Sequence, residues 1–473
     1  MRQKQTKVVA TISDLNCSVD LIKELYENGM NVVRLNTAHQ NLEASLKVIN
    51  NVREVSDKIG IIIDTKGPEV RTKGIDAKLN VVKGQVLTLA SKDGLEADFH
   101  VNYAKFTDDL NIGDIILIDD GSVELLVKKK ENDLLSCEIM NHGIIGNKKS
   151  INVPKVHFNL PAVTEKDKKY IEFAVENDID FIAHSFVRNK KDIKEVQDII
   201  DANGGNSKII AKIENRAGVD NIDEILDVAY GVMVARGDLG IEIAAQEVPV
   251  VQKMLIKKCI ERARPVITAT QLLHSMIDNP RPTRAEVSDV ANAIYDGTDA
   301  LMLSGETTFG KYPVEAVKMM TDIAISVEDE NKIDFFPKLI GKKPTRAYLV
   351  RTAVKASKAL PVKAIIIDSL TGRSARLVAS YRGETPVYGV VHDKNLVRQL
   401  SLSYGIYPTY QELPNTTDEL VYRAVSALLK KGFFTEEDMI VILAGTPGQN
   451  KGANFLEINE AGLAKKNHGR DCN

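Results

Sequence analysis

The feature that most constrains the fold of this chain is a series of eight short apolar segments separated by helical patterns. Short apolar runs that alternate with amphipathic helices indicate parallel strands joined by crossover helices. Eight is the number of strands that a closed parallel barrel requires. The segments are residues 8–12, 32–35, 61–63, 181–183, 209–213, 232–234, 266–269 and 301–303. The sequence therefore predicts a (β/α)8 TIM barrel.

Two helix starts between these segments carry recognisable capping signals. Thr283 is followed by Glu286, and Thr164 is followed by Asp167, each pair at the spacing of a capping box. Helix formation explains both patterns completely, so we assign them no chemistry.

The third and fourth apolar segments are much farther apart than the others. Between Glu69 and Pro154 the pattern changes to strand-like runs with glycine turns, at residues 85–90, 115–118, 123–127 and 134–139. This pattern predicts a small β-barrel domain inserted into a barrel loop. An insertion at this place is a natural lid over a site that must exclude water.

A further α/β unit follows the barrel, with strand-like runs at residues 363–368, 386–391 and 439–444. At about 150 residues per domain, a chain of 473 residues has room for about three domains. We predict a barrel domain from residues 1–69 and 155–335, a lid domain from 70–154, and a C-terminal α/β regulatory domain from 336–473.

Composition excludes several classes of protein. The chain is 44% hydrophobic and 27% charged, and its net charge of −3 argues against nucleic acid as a partner. The basic N-terminus has too short an apolar run behind it for a signal peptide, and no segment has the apolar length of a membrane span. Its four scattered cysteines suit a reducing compartment, so we expect a cytoplasmic protein without disulfides.

Charged residues end two neighbouring strands of the predicted barrel. Lys212 and Glu214 are two residues apart and therefore point to the same side of a strand, and Arg236 and Asp238 follow the next strand. Magnesium is usually held by one or two carboxylates, with substrate oxygens and water completing its coordination. The cluster therefore indicates a magnesium ion and an anionic oxygen substrate, and structural ion pairs at strand ends are the alternative.

Seven segments carry a resemblance to a known family. They are MNVVRLN (30–36), IDTKGPEVRT (63–72), KIEN (212–215), MVARGDLGIE (233–242), ATQ (269–271), RPTRAEVSDVAN (281–292) and MLSGE (302–306). Through these segments and their order, the chain resembles the pyruvate kinase family. The resemblance covers essentially its whole length. The resemblance implies transfer of the phosphoryl group of phosphoenolpyruvate to ADP, giving pyruvate and ATP.

The resemblance also implies which residues bind phosphoenolpyruvate. Arg34 and Lys212 are expected at the phosphoryl group, and the backbone amides of Gly237 and Asp238 at the substrate carboxylate. Thr270 contacts the same carboxylate and is expected to position the water that protonates enolpyruvate. The protein ligands of Mg²⁺ (or Mn²⁺) are implied to be Glu214 and Asp238. Arg34, Lys212 and Thr270 are thus the implied catalytic residues.

The nucleotide and a monovalent cation have implied residues of their own. Those for the nucleotide are Arg71, Asn36, His39 and Asp120, and those for potassium are Asn36, Asp64 and the carbonyl of Thr65. Glu69 is the residue typical of potassium-dependent members. Where the family usually has a serine ligand, this chain has Ala38. Either water fills that position or cation affinity is weakened.

Other parts of the chain match the family less closely. Ser13 and Asp14 replace a usual Gly-Pro beside the nucleotide, which leaves ADP affinity and nucleotide preference open. In the C-terminal domain the resemblance implies an effector phosphate loop at Ser369, Thr371, Gly372, Arg373 and Ser374. Residues 446–452 could close over a sugar-phosphate or nucleotide effector, and the family suggests a homotetramer.

Two other functions stay open from the residues alone. One is a magnesium-dependent 2-keto-acid lyase or aldolase on a similar barrel, which would need no nucleotide. The other is a non-catalytic effector-binding protein, motivated by Ser13, Asp14 and Ala38. A requirement for ADP separates the kinase from the lyase.

Overall fold

The computed structural model describes residues 4–131, 133–154, 156, 158–330, 337, 339, 344–448 and 452–469. The chain begins with three parallel strands joined by two helices. Side chains cap both helices, because Ser18 accepts from the amide of Leu21 and Asn41 accepts from the amide of Ala44. These elements are β1 (Lys7–Thr11), α1 (Val19–Glu27), β2 (Val32–Asn36), α2 (Leu42–Val55) and β3 (Gly60–Asp64).

A small all-β domain follows β3. Seven of its strands close into a barrel of their own, and two form a separate pair, β5 with β11. Alternate side chains along these strands fill its core, among them Leu125, Val127, Leu135 and Cys137. The elements are β4 (Val70–Lys73), β5 (Leu79–Val81), β6 (Val86–Ala90), β7 (Phe99–Val101), α3 (Phe106–Asp109), β8 (Ile115–Ile118), β9 (Val123–Glu131), β10 (Leu134–Ile139), β11 (Gly143–Ile145) and β12 (Ser150–Asn152).

The chain then returns to the first sheet. Thr164 and Thr283 each form the capping box that the sequence predicts, with Asp167 and Glu286. The elements are α4 (Glu165–Glu176), β13 (Phe181–His184), α5 (Lys190–Ala202), β14 (Lys208–Ile213), α6 (Arg216–Asp220), α7 (Ile222–Val228), β15 (Gly231–Ala235), α8 (Arg236–Glu242), α9 (Val248–Glu261), β16 (Val266–Ala269), α10 (Arg284–Tyr295), β17 (Ala300–Leu303), α11 (Gly305–Thr308) and α12 (Pro313–Glu330).

Eight parallel strands close this sheet into a barrel. Their order is β1, β17, β16, β15, β14, β13, β3 and β2, which then pairs with β1. Successive residues along each strand alternate between the barrel interior and the surrounding helices. Val9, Ile62 and Met233 pack inside, whereas Val8 and Ile61 pack against helices. The predicted TIM barrel and inserted β barrel are confirmed.

The C-terminal domain has a five-stranded sheet in the order β20, β19, β18, β21, β22, in which only the β21–β22 pair is antiparallel. The predicted α/β unit is confirmed. Its elements are α13 (Pro344–Ala359), β18 (Val362–Asp368), α14 (Arg373–Ala379), β19 (Val387–Val391), α15 (Lys394–Leu400), β20 (Ile406–Tyr410), α16 (Thr417–Lys430), β21 (Met439–Ala444), β22 (Phe455–Glu460) and α17 (Ala461–His468).

Buried ion pairs attach the C-terminal domain to the amino-terminal end of the barrel. Arg398 contacts Asp180, just before β13, at 2.6 Å. Arg382 contacts Asp299, just before β17, at 2.7 Å. The C-terminal domain therefore lies at the end of the barrel opposite the carboxyl ends of its strands, and leaves that end to the lid domain.

The domain boundaries at 69/70, 154/155 and 335/336 stay predictions, and the last falls among residues 331–336, outside the described residues. Cys17, Cys137 and Cys259 are buried free thiols. Over the ranges given above, no helix is long and apolar enough to cross a membrane.

Candidate active site

The carboxyl ends of the barrel strands bring the predicted charged residues together. These strand ends surround a cavity of about 340 Å³. Its lining includes Arg34, Asn36, His39, Asp64, Thr65, Glu69, Arg71, Lys212, Glu214 and Asp238. Most residues that the sequence predicts for phosphoenolpyruvate, the metal ions and the nucleotide therefore share one space.

Lys212 is the centre of this cluster. Its ammonium nitrogen lies 3.0 Å from Oδ1 of Asp64 and 2.9 Å from Oε1 of Glu214. It also donates a hydrogen bond of 2.7 Å to Oγ of Ser185. Burial alone would lower the pKa of Lys212, but Asp64 and Glu214 outweigh it and raise that pKa. Lys212 therefore carries a permanent positive charge at this end of the barrel.

Arg34 holds the opposite side of Asp64. Its Nη2 and Nε lie 2.6 and 2.7 Å from Oδ2 of Asp64, and its Nη1 donates to Oγ1 of Thr11. Burial would raise the pKa of Asp64, yet Arg34 and Lys212 hold that pKa below its ordinary value. Asp64 is thus an anion that fixes two cations on one side of the cavity.

Two further carboxylates, Glu214 and Asp238, face this cavity from just beyond β14 and from the first turn of α8. Burial raises the pKa of both groups, and Lys212 opposes that effect. Oε2 of Glu214 accepts a hydrogen bond of 2.7 Å from the amide of Phe186. The buried Glu214 and the half-buried Asp238, with Lys212 paired to Glu214 alone of the two, leave negative charge that a divalent cation could neutralise. Within the part of the chain that the structure describes, no three His, Cys, Asp or Glu side chains are grouped to hold a metal.

Thr270 follows β16 and reaches α8 in an unusual backbone conformation. Its φ is +69° and that of Gln271 is +52°, in the left-handed region that β-branched residues rarely adopt. Oγ1 of Thr270 accepts from the amide of Gly237 at 2.8 Å and donates to the carbonyl of Ala269 at 2.7 Å. The amide predicted to hold a substrate carboxylate is therefore bonded to Thr270 in this structure.

Arg236 is not part of the cluster, so its grouping with Lys212 in the sequence-based prediction is wrong. Its guanidinium group forms two contacts with Asp289 of α10, at 2.7 and 2.8 Å. It also donates to the carbonyl of Thr270 at 2.7 Å. Helix α8 begins at Arg236, and this side chain is directed toward α10. Arg236 therefore supports the backbone of Thr270.

The lid domain forms the other wall of the site. A cavity of about 570 Å³ lies between lid and barrel, and Arg71, Asp120, Glu69 and Asp238 line it. Nη2 of Arg71 lies 2.6 Å from Oε2 of Glu69. Asp120 lies in a turn with φ of +55° and accepts a hydrogen bond of 2.9 Å from Ser150. The predicted lid residues Arg71 and Asp120 thus line the same space as Asp238.

Comparison with known proteins agrees with this geometry. A family model described as pyruvate kinase, barrel domain, matches residues 3–317, and one described as pyruvate kinase, alpha/beta domain, matches residues 348–459. The pyruvate kinase of Borreliella burgdorferi is 49% identical over 466 residues, which cover 97% of this chain and 98% of that protein.

The chain belongs to the pyruvate kinase family.

Two more distant relatives extend the comparison. The pyruvate kinase of Geobacillus stearothermophilus is 43% identical over 473 residues, covering 96% of this chain and 80% of that protein. A crystal structure of a pyruvate kinase from Cryptosporidium parvum matches with a TM-score of 0.91 and 32% identity, over 97% of this chain and 96% of that one. The predicted family is thus confirmed over both the barrel and the C-terminal domain.

The residues predicted to bind a monovalent cation lie side by side. Asn36 and Asp64 are paired neighbours at the ends of β2 and β3, and Thr65 follows Asp64. Oδ1 of Asn36 accepts a hydrogen bond of 3.1 Å from the amide of Ala38, whose side chain has no oxygen to offer a cation. The carbonyl of Thr65 accepts from Ser185 at 2.6 Å. The oxygens predicted for the cation therefore lie together, and position 38 has no side-chain oxygen.

The predicted effector loop lies between β18 and α14. Ser369, Thr371 and Ser374 line a cavity of about 20 Å³, which has room for about one water molecule. Gly372 has a φ of +69° and precedes Arg373, where the helix begins. Of the predicted closing segment 446–452, residues 449–451 lie outside the described residues. An effector site at this loop stays a prediction.

Two residues that contact the cluster were missed by the sequence reasoning. Ser185 contacts Lys212, and the amide of Phe186 contacts Glu214. Both follow β13, whose end carries no charged residue comparable to Lys212 or Asp238. The only available signal was their place at the carboxyl end of a barrel strand, where functional residues of this fold collect.

Proposed function

We propose that this protein transfers the phosphoryl group of phosphoenolpyruvate to ADP, giving pyruvate and ATP. The observation that carries the proposal is the position of the Lys212 ammonium group between Asp64 and Glu214, with Arg34 on the other side of Asp64. Phosphoryl transfer depends chiefly on positioning and on neutralising negative charge spread over several oxygens. A buried lysine and a buried arginine that share one carboxylate supply that charge at a fixed place.

Arg34 and Lys212 are the proposed contacts of the phosphoryl group. The planar guanidinium group of Arg34 suits two phosphoryl oxygens at once. Lys212 offsets charge on the phosphoryl group and on the enolate oxygen left when the bridging P–O bond breaks. A terminal oxygen of ADP forms the new P–O bond, and the enolate then takes a proton at its methylene carbon.

The loop after β16 and the start of α8 are the proposed site of the substrate carboxylate. Backbone amides at the first turn of a helix bind anions well. The amide of Gly237 can donate to that carboxylate only if its hydrogen bond to Thr270 opens. The hydroxyl group of Thr270 is then available to position the water that protonates enolpyruvate.

Glu214 and Asp238 would hold the divalent ion, Mg²⁺ or Mn²⁺. Their fit rests on the donor set, because a buried and a half-buried carboxylate, both with raised pKa values, face one cavity that can hold a positive charge. The chemistry that this ion supplies is neutralisation of charge on substrate oxygens. Asn36, Asp64 and the carbonyl of Thr65 would hold K⁺.

The lid completes the proposed nucleotide site. Arg71, Asn36, His39 and Asp120 are the proposed contacts of ADP, and closure of the lid excludes water from the transferred phosphoryl group. A sugar-phosphate or nucleotide effector at the C-terminal loop, a homotetramer and a cytoplasmic location belong to the same proposal.

Omission of ADP tests this function directly. Purified protein is incubated with phosphoenolpyruvate and Mg²⁺, with and without ADP, and pyruvate is measured. The proposal predicts pyruvate only when ADP is present. Consumption of phosphoenolpyruvate or release of pyruvate without any diphosphate would instead indicate the lyase class.

A further inference from the structure

Ser185 lies one residue beyond β13, between the ends of β3 and β14. Its side chain is buried, with 2% of the residue exposed. Oγ of Ser185 is 2.7 Å from Nζ of Lys212 and 2.6 Å from the carbonyl oxygen of Thr65. A longer contact of 3.4 Å joins it to Oδ1 of Asp64. One small hydroxyl group therefore touches three residues of the cluster.

The direction of these hydrogen bonds follows from the number of hydrogens. A serine hydroxyl group has one hydrogen, a carbonyl oxygen only accepts, and an ammonium group only donates. Ser185 therefore donates to Thr65 and accepts from Lys212. Lys212 has three N–H groups, and its three partners are Asp64, Glu214 and Ser185. Three contacts from three different strand ends fix the position of Nζ.

Ser185 is itself held in place by the neighbouring strand. Its amide donates to Oγ1 of Thr65 at 3.1 Å, and the amide of Thr65 donates to the carbonyl of Ala183 at 3.0 Å. The next residue, Phe186, has a φ of +55°, and its amide donates to Glu214. These two adjacent residues thus hold both Lys212 and Glu214.

Of the three partners of Lys212, Ser185 is the neutral one and makes the shortest contact. It restricts a flexible lysine without cancelling its positive charge. We propose that Ser185 is a positioning residue that holds the Lys212 ammonium group where the phosphoryl group and the enolate need it. This role rests on the phosphoryl transfer proposed above.

Removing the hydroxyl group should lower turnover more than binding. For Ser185→Ala we expect kcat to fall by about 10- to 100-fold, the effect of losing one hydrogen bond to a charged group. We expect KM for phosphoenolpyruvate to change by less than about threefold, because Arg34 and the amides of α8 still bind the substrate. Ser185→Cys keeps the branching of the side chain but replaces the hydroxyl group by a larger thiol, which is a weak donor and a weak acceptor, so a similar loss is expected.

Ser207 provides a matched control at the other end of the barrel. Ser207 lies just before β14, and its buried hydroxyl group donates a hydrogen bond of 2.7 Å to the carbonyl of Ile179. Ser207→Ala and Ser185→Ala each remove one buried hydroxyl-to-carbonyl hydrogen bond. Ser185→Ala also removes an acceptor of Lys212, so Tm should fall in both variants and at least as much in Ser185→Ala, whereas kcat should fall only in Ser185→Ala.

A double variant and a crystal structure separate positioning from general damage. In a Lys212→Gln background, Ser185→Ala should cost less than about a further twofold in kcat, because its effect acts through Lys212. A crystal structure of Ser185→Ala should show Nζ of Lys212 displaced from Asp64 or Glu214.

Each outcome of this experiment decides one question. Wild-type protein that forms no pyruvate from phosphoenolpyruvate and ADP would overturn the proposed function. An active wild type with Ser185→Ala and Ser185→Cys within about twofold of it would overturn the positioning role alone. The same loss repeated in the Lys212→Gln background, or an unmoved Lys212 in the crystal, would overturn it too.

Discussion

The backbone amide of Gly237 donates a hydrogen bond of 2.8 Å to Oγ1 of Thr270. Gly237 lies at the start of α8, and Thr270 follows the neighbouring strand β16. Both groups are proposed partners of the substrate carboxylate, and in this structure they are hydrogen-bonded to each other instead. Binding of phosphoenolpyruvate must therefore replace this hydrogen bond with contacts to the substrate.

The left-handed backbone of Thr270 leads to the first prediction. A side chain at a φ of +69° costs about 1 kcal/mol or more, and glycine avoids that cost. We expect Thr270→Gly to have a higher Tm than Thr270→Ala. Both variants lack the hydroxyl group, so kcat should fall by about 10- to 100-fold in each. Thr270→Ser should keep most activity. Equal Tm values for the Gly and Ala variants would show that the conformation stores no strain.

The second prediction concerns Lys212. Replacing it with Met should lower kcat by about 10²- to 10³-fold or more, because a fixed positive charge at the transferred group is lost. Binding of Mn²⁺ should persist, because Glu214 and Asp238 remain. Steady-state kinetics and direct Mn²⁺ titration check both statements, with Lys23→Met on the exposed face of α1 as the control. A Lys212→Met variant with near wild-type turnover would contradict the assigned role.

Ala38 provides a third prediction. Its amide is 3.1 Å from Oδ1 of Asn36, so a serine side chain here would add an oxygen beside the proposed cation ligands. We expect Ala38→Ser to lower the K⁺ concentration for half-maximal activity several-fold, measured at constant ionic strength. Ala44→Ser in α2 is the control. An unchanged K⁺ requirement would mean that water already fills the fourth position.

The lid and barrel are joined by a contact that gives the fourth prediction. Nδ2 of Asn152, at the end of the lid strand β12, donates to Oε1 of Glu242 at 3.0 Å. Glu242 ends α8, the helix that carries Asp238. Asn152→Ala should weaken lid closure and raise KM for ADP by a few-fold. Asn141→Ala is the control, because it removes hydrogen bonds within the lid domain alone. An equal change in KM for ADP in both variants would exclude a specific role for Asn152.

The fifth prediction is a pH dependence in the C-terminal domain. Burial lowers the pKa of His392, but its hydrogen bonds of 2.8 Å to Asp368 and to the carbonyl of Gln411 outweigh burial and raise that pKa above its ordinary 6.5. The folded domain therefore binds this proton more tightly than the unfolded chain does. This stabilisation is fully present below the unfolded pKa and is lost as pH rises through the raised folded pKa.

Hydrogen exchange of β18 and β19 measures this effect locally. Compared at each pH with a His392→Gln variant, the wild-type strands should be better protected below pH 6.5 and should lose that advantage at higher pH. His142→Gln in the lid domain is a control for histidine replacement. A pH-independent difference between wild type and His392→Gln would contradict a titrating pair.

The barrel could be predicted because its determinants are local. Apolar segments mark every barrel strand, and the capping boxes at Thr164 and Thr283 mark two helix starts. The proximity of Lys212 and Glu214 also follows from local geometry, since alternate residues of a strand share a side. Such features depend on neighbours in the sequence, so the sequence contains them.

The direction of Arg236 and the contacts of Ser185 could not be predicted in the same way. Arg236 pairs with Asp289, 53 positions away, and Ser185 meets Thr65, 120 positions away. These pairs form only when the closed barrel brings separate strand ends and helices together. A strand end with one serine carries no local sign that the strands beside it end in Asp64 and Lys212.

Simultaneous measurement of pyruvate and ATP tests the proposed phosphoryl transfer. Purified protein is supplied with phosphoenolpyruvate, ADP and Mg²⁺, with and without K⁺ at constant ionic strength. We expect equal amounts of pyruvate and ATP, formed faster when K⁺ is present. Equal amounts without any effect of K⁺ would retain the phosphoryl transfer and remove the cation site. Pyruvate without a matching amount of ATP would contradict the proposed function.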